Sequence, residues 1–433
     1  MRPSETEQSA VSQPDSNNPD VIVVGASLAG CTAARLYAQH GLRVALVEQQ
    51  REAGAFKHLC THFIQASATP VLKAIGLDQL IEQAGGVRNS VDIWTRYGWA
   101  GEVPPEDAAG NRLFGYNIRR QRLDPMLREL VAQASGVSLL SGCSVRGLIR
   151  ERGAIVGVEV GGRHSGALRA RLVVAADGRN SPSAELAGVR PKSAPNCRGG
   201  AFAAYRAVPL RRGNCSQMWF YGDDVGYVFP NEDGLTVIAY MMHKDKLPAF
   251  REDAAKALEA SLAALPDAPD LKRAQPLGRP VLVKDYPSEW RPTIVQGMAL
   301  IGDAQMSLDP LWGVGCGFAF QTAQWLVDCT ASSLRSDAPL APGLKRYART
   351  VTQRLGGHRF LMVDFAKRRR FNAVERLMFS AAAKDRQMAR HLYEFGARLS
   401  SPMQFLSPRA LLRAIWVNVR HSDARGASLN VPS

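Results

Sequence analysis

The stretch from Gly25 to Gly30, GASLAG, has the residue types of a turn that holds a diphosphate. The two glycines permit a tight turn and close packing of a helix against a strand, and the small residues Ala26 and Ser27 let the backbone approach the phosphates. Further along the chain, Glu48 stands where a carboxylate would accept hydrogen bonds from both hydroxyls of an adenosine ribose. Together these residues predict a binding site for a dinucleotide.

Two strands and a helix must position this turn. Val21 to Val24 is a β-branched run typical of a central strand in a parallel sheet, and Arg43 to Val47 is predicted to be a second strand. The helix predicted from Leu28 to Gln39 directs its unpaired N–H groups and the positive end of its dipole at the diphosphate. Ser27 replaces the middle glycine of the G-x-G-x-x-G pattern, so its side chain narrows the approach.

Two later turns also follow apolar strand-like runs. Asp177 and Gly178 come directly after the run 172–176, and Gly302 and Asp303 come after the run 299–301. A glycine-rich segment then leads into a predicted helix, and it contains Pro310, Gly313, Val314 and Gly315. Ligands of α/β folds bind at the carboxyl ends of such strands, so these turns are predicted to meet at one site.

The first turn with its acidic residue, the Asp177-Gly178 turn and the Gly302-Asp303 turn jointly resemble one family pattern. They are similar to the FAD-dependent monooxygenases of the p-hydroxybenzoate hydroxylase type and to their relatives, the flavin-dependent halogenases and geranylgeranyl reductases. The resemblance covers residues 20 to 340. It implies an α/β fold with a Rossmann-like FAD-binding domain, an antiparallel-sheet substrate domain and a helical C-terminal region.

The same resemblance implies roles for individual residues. Asp303 would hold the ribityl chain of FAD, Asp177 would lie near the pyrophosphate, and the segment 310–317 would lie beside the flavin ring. Arg120 matches the arginine of an R-x-x-L-D motif, and Asp124 in that motif is predicted to cap the helix that continues to Ala134. The loop after the second strand is expected to run back across the cofactor.

The chain divides into predicted domains as follows. Residues 1–19 are predicted to be a disordered tail and not a signal peptide, because they are polar and rich in Pro, Ser and Asn. The FAD-binding domain is assigned to 20–83, 118–195 and 276–340, the substrate domain to 84–117 and 196–275, and a basic helical C-terminal region to 341–433. No uncharged run is long enough to cross a membrane, and seven cysteines without a C-x-x-C pair predict reduced thiols in the cytosol.

Two histidines on the loop after Glu48 are the candidates for a catalytic base or an orienting group. His58 and His62 flank Cys60, a pattern that could also suggest a metal site. Zinc needs three or four ligands, and no second cluster of ligands accompanies these residues, so no metal is predicted. The competing interpretation is that each histidine is a hydrogen-bonded packing residue.

Hydroxylation by a C4a-hydroperoxyflavin is the favoured chemistry, in which an electron-rich phenol or indole ring attacks the distal oxygen. No second strand-turn-helix pattern exists for a nicotinamide domain, so NAD(P)H is expected to bind only transiently as the reductant. The family's halogenases resemble one another in a W-x-W-x-I-P segment, whereas residues 226–230 read GYVFP here. Halogenation and geranylgeranyl-type reduction remain the alternatives, and a non-catalytic flavin-containing binding protein is the alternative of another class.

The C-terminal region carries most of the chain's excess charge. Residues 341–433 contain 18 lysines and arginines against 5 aspartates and glutamates, a net +13 of the total +15. We therefore expect an aromatic substrate carried on an acidic protein or peptide that docks on this region. The flavoproteins that dihydroxylate a peptidyl tryptophan during biogenesis of a quinone cofactor are relatives of this kind. Nucleic acid is disfavoured because the arginines do not alternate regularly with aromatic residues that could stack bases.

Overall fold

The computed structural model describes residues 18–101, 110, 112–367 and 369–421. A six-stranded sheet lies at the centre of the predicted FAD-binding domain, and five of its strands are parallel. Val24 lies beside both Val47 and Ala175, so the carboxyl ends of the three central strands meet at one edge. The strand order across the sheet is Ile294–Val295, Met298–Leu300, Leu172–Ala175, Val21–Val24, Val44–Glu48 and Val137–Ser141.

Both faces of this sheet are covered. A three-stranded antiparallel sheet packs on one face, built from Cys143–Glu151, Ala154–Gly162 and Gly166–Arg169. Long helices share one apolar core with the other face, namely Leu28–Gln39, Arg120–Ala132, Gly315–Arg335 and Ala341–Phe365. The predicted α/β, Rossmann-like fold is therefore confirmed.

A seven-stranded sheet forms the second part of the molecule. Its pairs are antiparallel except for one parallel pair, Ser216–Tyr221 with Val91–Thr95. The strand order is Gln275–Val283, Arg198–Arg206, Leu235–His243, Asp224–Pro230, Ser216–Tyr221, Val91–Thr95 and Gly98–Ala100. Because Gln275–Val283 belongs to it, this sheet extends beyond residue 275, where the sequence placed the end of the substrate domain.

Each face of the seven-stranded sheet has its own helical cover. Trp94 and Trp219 lie on the face covered by the helices Leu247–Glu252 and Ala254–Ala263. The other face, which carries Phe220, packs against four C-terminal helices: Ala373–Ala382, Arg386–Gly396, Pro402–Phe405 and Pro408–Arg420. The C-terminal region is helical as predicted. We call these four helices, which pack over this face of the sheet, the C-terminal cover.

The remaining elements connect the two sheets. Short strands form two further three-stranded sheets, with Phe63–Ile64, Gly115–Asn117 and Val87–Asn89 in one and Lys192–Ala194, Ser288–Trp290 and Met306–Ser307 in the other. The short helices are Thr69–Ile75, Leu77–Gln83 and Pro182–Leu186. Within the described residues, no helix combines the length and the apolar character needed to cross a membrane.

Arg398 attaches the C-terminal region to the FAD-binding part. Its guanidinium is buried, donates hydrogen bonds to the side chains of Gln65 and Ser67, and lies 4.4 Å from the centre of the Phe318 ring. Burial lowers the pKa of Arg398 to about 9. A Cβ atom at Gly317 would overlap Nη2 of this guanidinium, so the helix Gly315–Arg335 leaves room for it by having no side chain there.

We expect Gly317→Ala to lower the free energy of unfolding by about 1–3 kcal/mol, because the added methyl group must displace a buried, hydrogen-bonded guanidinium. Gly356→Ala is the matched control, since its Cβ would meet nothing closer than 4.0 Å on the exposed side of the helix Ala341–Phe365. That control should gain about 0.5–1 kcal/mol from helix propensity alone. Urea unfolding followed by circular dichroism measures both, and equal stability of the two variants would contradict this account of Arg398.

Candidate functional site

A cavity of about 1230 Å³ opens at the carboxyl edge of the parallel sheet. It is larger than the roughly 300–1,000 Å³ of ordinary small-molecule pockets, as an extended dinucleotide requires. Of the predicted cofactor residues, those that line it are Gly25, Ala26, Ser27, Glu48, Arg120, Asp177, Gly178, Asp303, Pro310, Gly313, Val314 and Gly315. Gly30 is the predicted cofactor residue that does not line the cavity.

Gly25 and Gly30 are required by packing. The backbone of Gly25 has φ of +100°, and a Cβ atom there would lie 2.6 Å from the carbonyl oxygen of Ala176. A Cβ atom on Gly30 would overlap the carbonyl oxygen of Gly25. Gly30 therefore acts indirectly, by letting the helix approach the turn closely.

Ser27 is tied to a buried ion pair. Nη2 of Arg120 donates to the Ser27 hydroxyl at 2.8 Å, and the same guanidinium holds Asp124 through contacts of 2.5 and 2.9 Å. The serine in place of the middle glycine thus gains a hydrogen-bond partner. Asp124 does not cap the helix as predicted, because the helix begins at Arg120 with Arg119 at the N-cap position.

The carboxylate of Glu48 is fixed at the end of its strand. One oxygen accepts the N–H of Ala26 at 2.7 Å, and the other accepts the N–H of Gln50 at 2.8 Å. Each oxygen keeps a further lone pair, so the carboxylate can still accept hydrogen bonds from two hydroxyl groups.

The two aspartates of the later turns have different partners. Asp177 accepts hydrogen bonds from the Ser181 hydroxyl at 2.6 Å and the Ser183 N–H at 2.8 Å, so it stabilises its own turn. Asp303 lies 2.7 Å from Nζ of Lys57 and raises the pKa of that lysine. Lys57 was not among the predicted site residues, although the loop that carries it was expected to cross the cofactor.

The structure separates the two candidate histidines. His58 is exposed, lines the cavity and lies 4.3 Å from the Phe56 ring, centre to centre. Nδ1 of His62 accepts a hydrogen bond from the backbone N–H of Arg120 at 3.0 Å, and His62 does not line the cavity. The geometry favours a structural role for His62, and the chemical role of His58 stays a prediction. In the described part of the chain, no group of three or more His, Cys, Asp or Glu residues could hold a metal ion.

A short turn from Asp309 to Gly313 forms one wall of the cavity. Asp309 is buried, and its carboxylate lies 3.4 Å from Nη1 of Arg198 and accepts the Leu311 N–H at 2.9 Å. Burial raises the pKa of Asp309, and the nearby Arg198 opposes that rise. The helix Gly315–Arg335 starts directly after this turn, so the positive end of its dipole faces the cavity.

A small apolar pocket lies on the other side of this turn. Its volume is about 50 Å³, and Phe63 and Gly313 border both the pocket and the cavity. The other residues of its wall are Gln65, Ala66, Asn89, Val91, Ile93, Met218, Tyr227, Phe229, Leu311, Trp312, Tyr393, Gly396 and Ala397. The aromatic residues of the seven-stranded sheet therefore serve both of its faces, because Tyr227 and Phe229 line the pocket while Trp94 and Trp219 pack on the opposite face.

The sequence of this chain is similar to those of known proteins. A family model described as FAD binding domain matches residues 18–354. The digeranylgeranylglycerophospholipid reductase of Thermoplasma acidophilum is 25% identical over 360 residues, which cover 77% of this chain and 83% of that protein.

Two solved structures share the fold. The flavin-dependent brominase Bmp2 superposes with a TM-score of 0.71 at 17% identity, covering 95% of this chain and all of the brominase. PqsL, a probable FAD-dependent monooxygenase from Pseudomonas aeruginosa, superposes with a TM-score of 0.66 at 18% identity, covering 87% of this chain and all of PqsL.

We expect Glu48→Gln to weaken FAD binding by about 10- to 100-fold, because hydrogen bonds to a charged acceptor contribute roughly 1.5–3 kcal/mol each. Glu129→Gln removes a similar charge from the exposed face of the helix Arg120–Ala132 and is the control. Titration of the FAD-free proteins with FAD, followed by flavin fluorescence, gives both dissociation constants. Equal affinities in the two variants would show that Glu48 does not hold the ribose.

Proposed function

The chain belongs to the FAD binding domain family, and we propose that it is a flavin-dependent monooxygenase that hydroxylates an electron-rich aromatic compound. FAD is its cofactor. The observation that carries the proposal is the apolar pocket, which meets the cofactor cavity at the turn from Asp309 to Gly313. Oxygen transfer requires contact between the ring and the flavin, so the pocket would have to open into the cavity at Phe63 and Gly313, which border both.

The residues of the cavity fit FAD. Glu48 would accept the ribose hydroxyls, and the N–H groups and helix dipole after Gly25 would hold the diphosphate. Asp303 would accept hydroxyls of the ribityl chain. The start of the helix Gly315–Arg335 would stabilise negative charge on the flavin ring. When bound and reduced by NAD(P)H, the flavin supplies the activated oxygen.

The residues around the turn keep the reacting region dry. Pro310 lines the cavity and has no N–H to donate, and the pocket wall beyond it is almost wholly apolar. The buried Tyr227 hydroxyl donates a hydrogen bond to the carbonyl oxygen of Leu311 and so fixes the turn against the seven-stranded sheet. Exclusion of water limits side reactions of the activated oxygen.

Substrate entry requires the pocket to open. Its 50 Å³ is about a third of the roughly 150 Å³ cavity that admits benzene. Tyr393, Gly396 and Ala397 of the C-terminal cover form one side of the pocket. A small displacement of this cover would admit a phenol or an indole ring.

Polyprenyl reduction is the second candidate function, because the Thermoplasma relative is named as a reductase of a digeranylgeranyl phospholipid. A polyprenyl chain would need a far longer cavity than the apolar pocket offers. Halogenation is less favoured because the strand Asp224–Pro230 places Tyr227 and Phe229 in the pocket wall, where the family's halogenases carry their tryptophan segment.

Product analysis separates the three reactions. With FAD, NAD(P)H, bromide and labelled dioxygen present, we expect a phenol or indole substrate to gain one oxygen atom from dioxygen. Brominated product would establish the halogenase instead, and saturation of a polyprenyl lipid under anaerobic conditions would establish the reductase.

Trp312 lies in the pocket wall, so Trp312→Ala should lower the hydroxylation rate by about 100-fold because the substrate ring is held less firmly. Trp325, which is partly buried on the helix Gly315–Arg335, is the control, and Trp325→Ala should leave the rate unchanged.

We further propose that the aromatic group is carried on an acidic protein or peptide that docks on the C-terminal cover. The last helix, Pro408–Arg420, buries Ala414 and Val417 but exposes an apolar stripe on its other side, made of Leu412, Ile415, Trp416 and Val419. Arg409 and Arg420 are exposed at the two ends of this helix. An apolar stripe flanked by cations suits a partner with apolar anchors and acidic surroundings.

Charge reversal tests this docking surface. The double variant Arg409→Glu/Arg420→Glu should lower turnover of the protein-tethered substrate by about tenfold at low salt, because rim charges act mainly on the association rate. Turnover of the free aromatic compound should not change. Arg163→Glu, exposed on the three-stranded sheet over the opposite part of the molecule, is the control. Equal effects on free and tethered substrates would refute docking there, and binding to anionic lipid vesicles in place of the protein would assign the surface to a membrane.

A further inference from the structure

Two cysteines from distant parts of the chain meet in the wall of the FAD cavity. The sulfur atoms of Cys60 and Cys316 are 3.8 Å apart, and both residues line the cavity. Cys60 lies on the loop between Glu48 and the strand Phe63–Ile64, and Cys316 lies in the first turn of the helix Gly315–Arg335. A disulfide joins its sulfur atoms at about 2.05 Å, so side-chain rotation and a small shift of the loop would bring them to bonding distance.

The surroundings favour a thiolate at Cys60. The pKa of Cys60 lies well below its ordinary value, because Cys316 donates a hydrogen bond to its sulfur and because His62 and the Arg120 guanidinium are nearby. The backbone N–H of His62 also donates a hydrogen bond to this sulfur at 3.2 Å. The pKa of Cys316 is raised by the same hydrogen bond and by burial, so Cys316 stays the thiol of the pair.

We propose that Cys60 and Cys316 are a redox-active pair that hydrogen peroxide oxidises to a disulfide. The Cys60 thiolate attacks one peroxide oxygen, the O–O bond breaks, and a sulfenic acid forms as hydroxide leaves. The Cys316 sulfur then attacks the Cys60 sulfur, the S–O bond breaks, and the oxygen leaves as water. The hydroxide takes up the proton that the Cys60 thiol released, and the Cys316 proton goes to the departing oxygen, so two thiols and one hydrogen peroxide become one disulfide and two waters.

The position of the pair identifies the source of the oxidant. Hydrogen peroxide is the product when a reduced flavin reacts with dioxygen and no substrate takes the oxygen, and here it would form in the cavity that both cysteines line. The pair would therefore respond to unproductive turnover. This inference depends on the FAD cavity and is independent of which substrate is hydroxylated.

The disulfide would restrain the loop over the cofactor. The same loop carries Lys57, which pairs with Asp303 at 2.7 Å and donates its N–H to Asp124 at 3.0 Å. A covalent bond from Cys60 to the helix Gly315–Arg335 would fix the loop at a point between Lys57 and Phe63. We expect FAD to dissociate more slowly from the oxidised protein than from the reduced protein.

The test uses the full-length holoprotein, first reduced and freed of reductant, then treated with a few equivalents of hydrogen peroxide. Thiols are alkylated in denaturant before digestion and mass spectrometry. Chymotrypsin is the suitable protease, because cleavage after Trp312 and Phe318 separates Cys316 from Cys329. We expect loss of two of the seven thiols and a cross-linked peptide pair that contains Cys60 and Cys316.

Three variants complete the test. Cys316→Ser should abolish the cross-link and leave Cys60 as a sulfenic acid that dimedone traps, whereas Cys60→Ser should abolish both products. Cys329→Ser, on the same helix, should behave as the unaltered protein, and retained FAD absorbance reports that each variant is folded. Loss of no thiols in the unaltered protein, a cross-link between other cysteines, or unchanged FAD dissociation after complete cross-linking would overturn the proposal. Because thiol counts need no substrate, failure of the hydroxylation proposal would not affect this result.

Discussion

The buried ion pair between Arg198 and Asp309 holds together the three parts of this molecule. Asp309 begins the turn in the FAD-cavity wall, and Arg198 lies on the seven-stranded sheet. The guanidinium also donates to the carbonyl oxygen of Phe365 at 2.9 Å, at the end of the helix that leads into the C-terminal cover. Removing a charge from water costs several kcal/mol, so either residue alone would be strongly unfavourable here. Their pairing therefore fixes the position of the turn relative to both the sheet and the cover.

The geometry of this turn decides what the site can do. Gly313 has φ of +61°, and a Cβ atom there would lie 3.1 Å from the Phe63 ring, so the wall between cavity and pocket is as thin as a backbone allows. Leu311 faces the apolar pocket while the neighbouring Pro310 faces the cavity. On the proposed function, a ring in the pocket would have to reach the flavin past Phe63 and Gly313, which border both spaces. The cavity side is polar and carries charged side chains, and the pocket side is apolar.

The sequence was most informative where function depends on short segments. The strand, turn and helix around Gly25 are local, and their residue types follow from backbone approach to a diphosphate, so their position and that of Glu48 at the sheet edge could be predicted. The Arg120 contact to Ser27 joins residues 93 positions apart, and the Lys57 contact to Asp303 joins residues 246 apart. No spacing rule predicts such pairs. The capping role predicted for Asp124 was wrong for a local reason, because the helix begins at Arg120 and Asp124 lies one turn inside it, paired with Arg120.

The net charge of the C-terminal region and its packing on the sheet suggest two different roles for it. Its net charge of +13 suggested a docking surface. Its apolar residues, among them Phe379 and Leu392, also cover the face of the sheet that borders the pocket. Arg409 and Arg420 are exposed on the outer surface of the same layer whose inner surface lines the pocket, whereas Arg398 points inward. On the proposed function, a partner that docks outside would act directly on the element that must move for the ring to enter. Docking and pocket opening would then be coupled through one helical layer, without any contact between the partner and the FAD cavity on the far side of the turn.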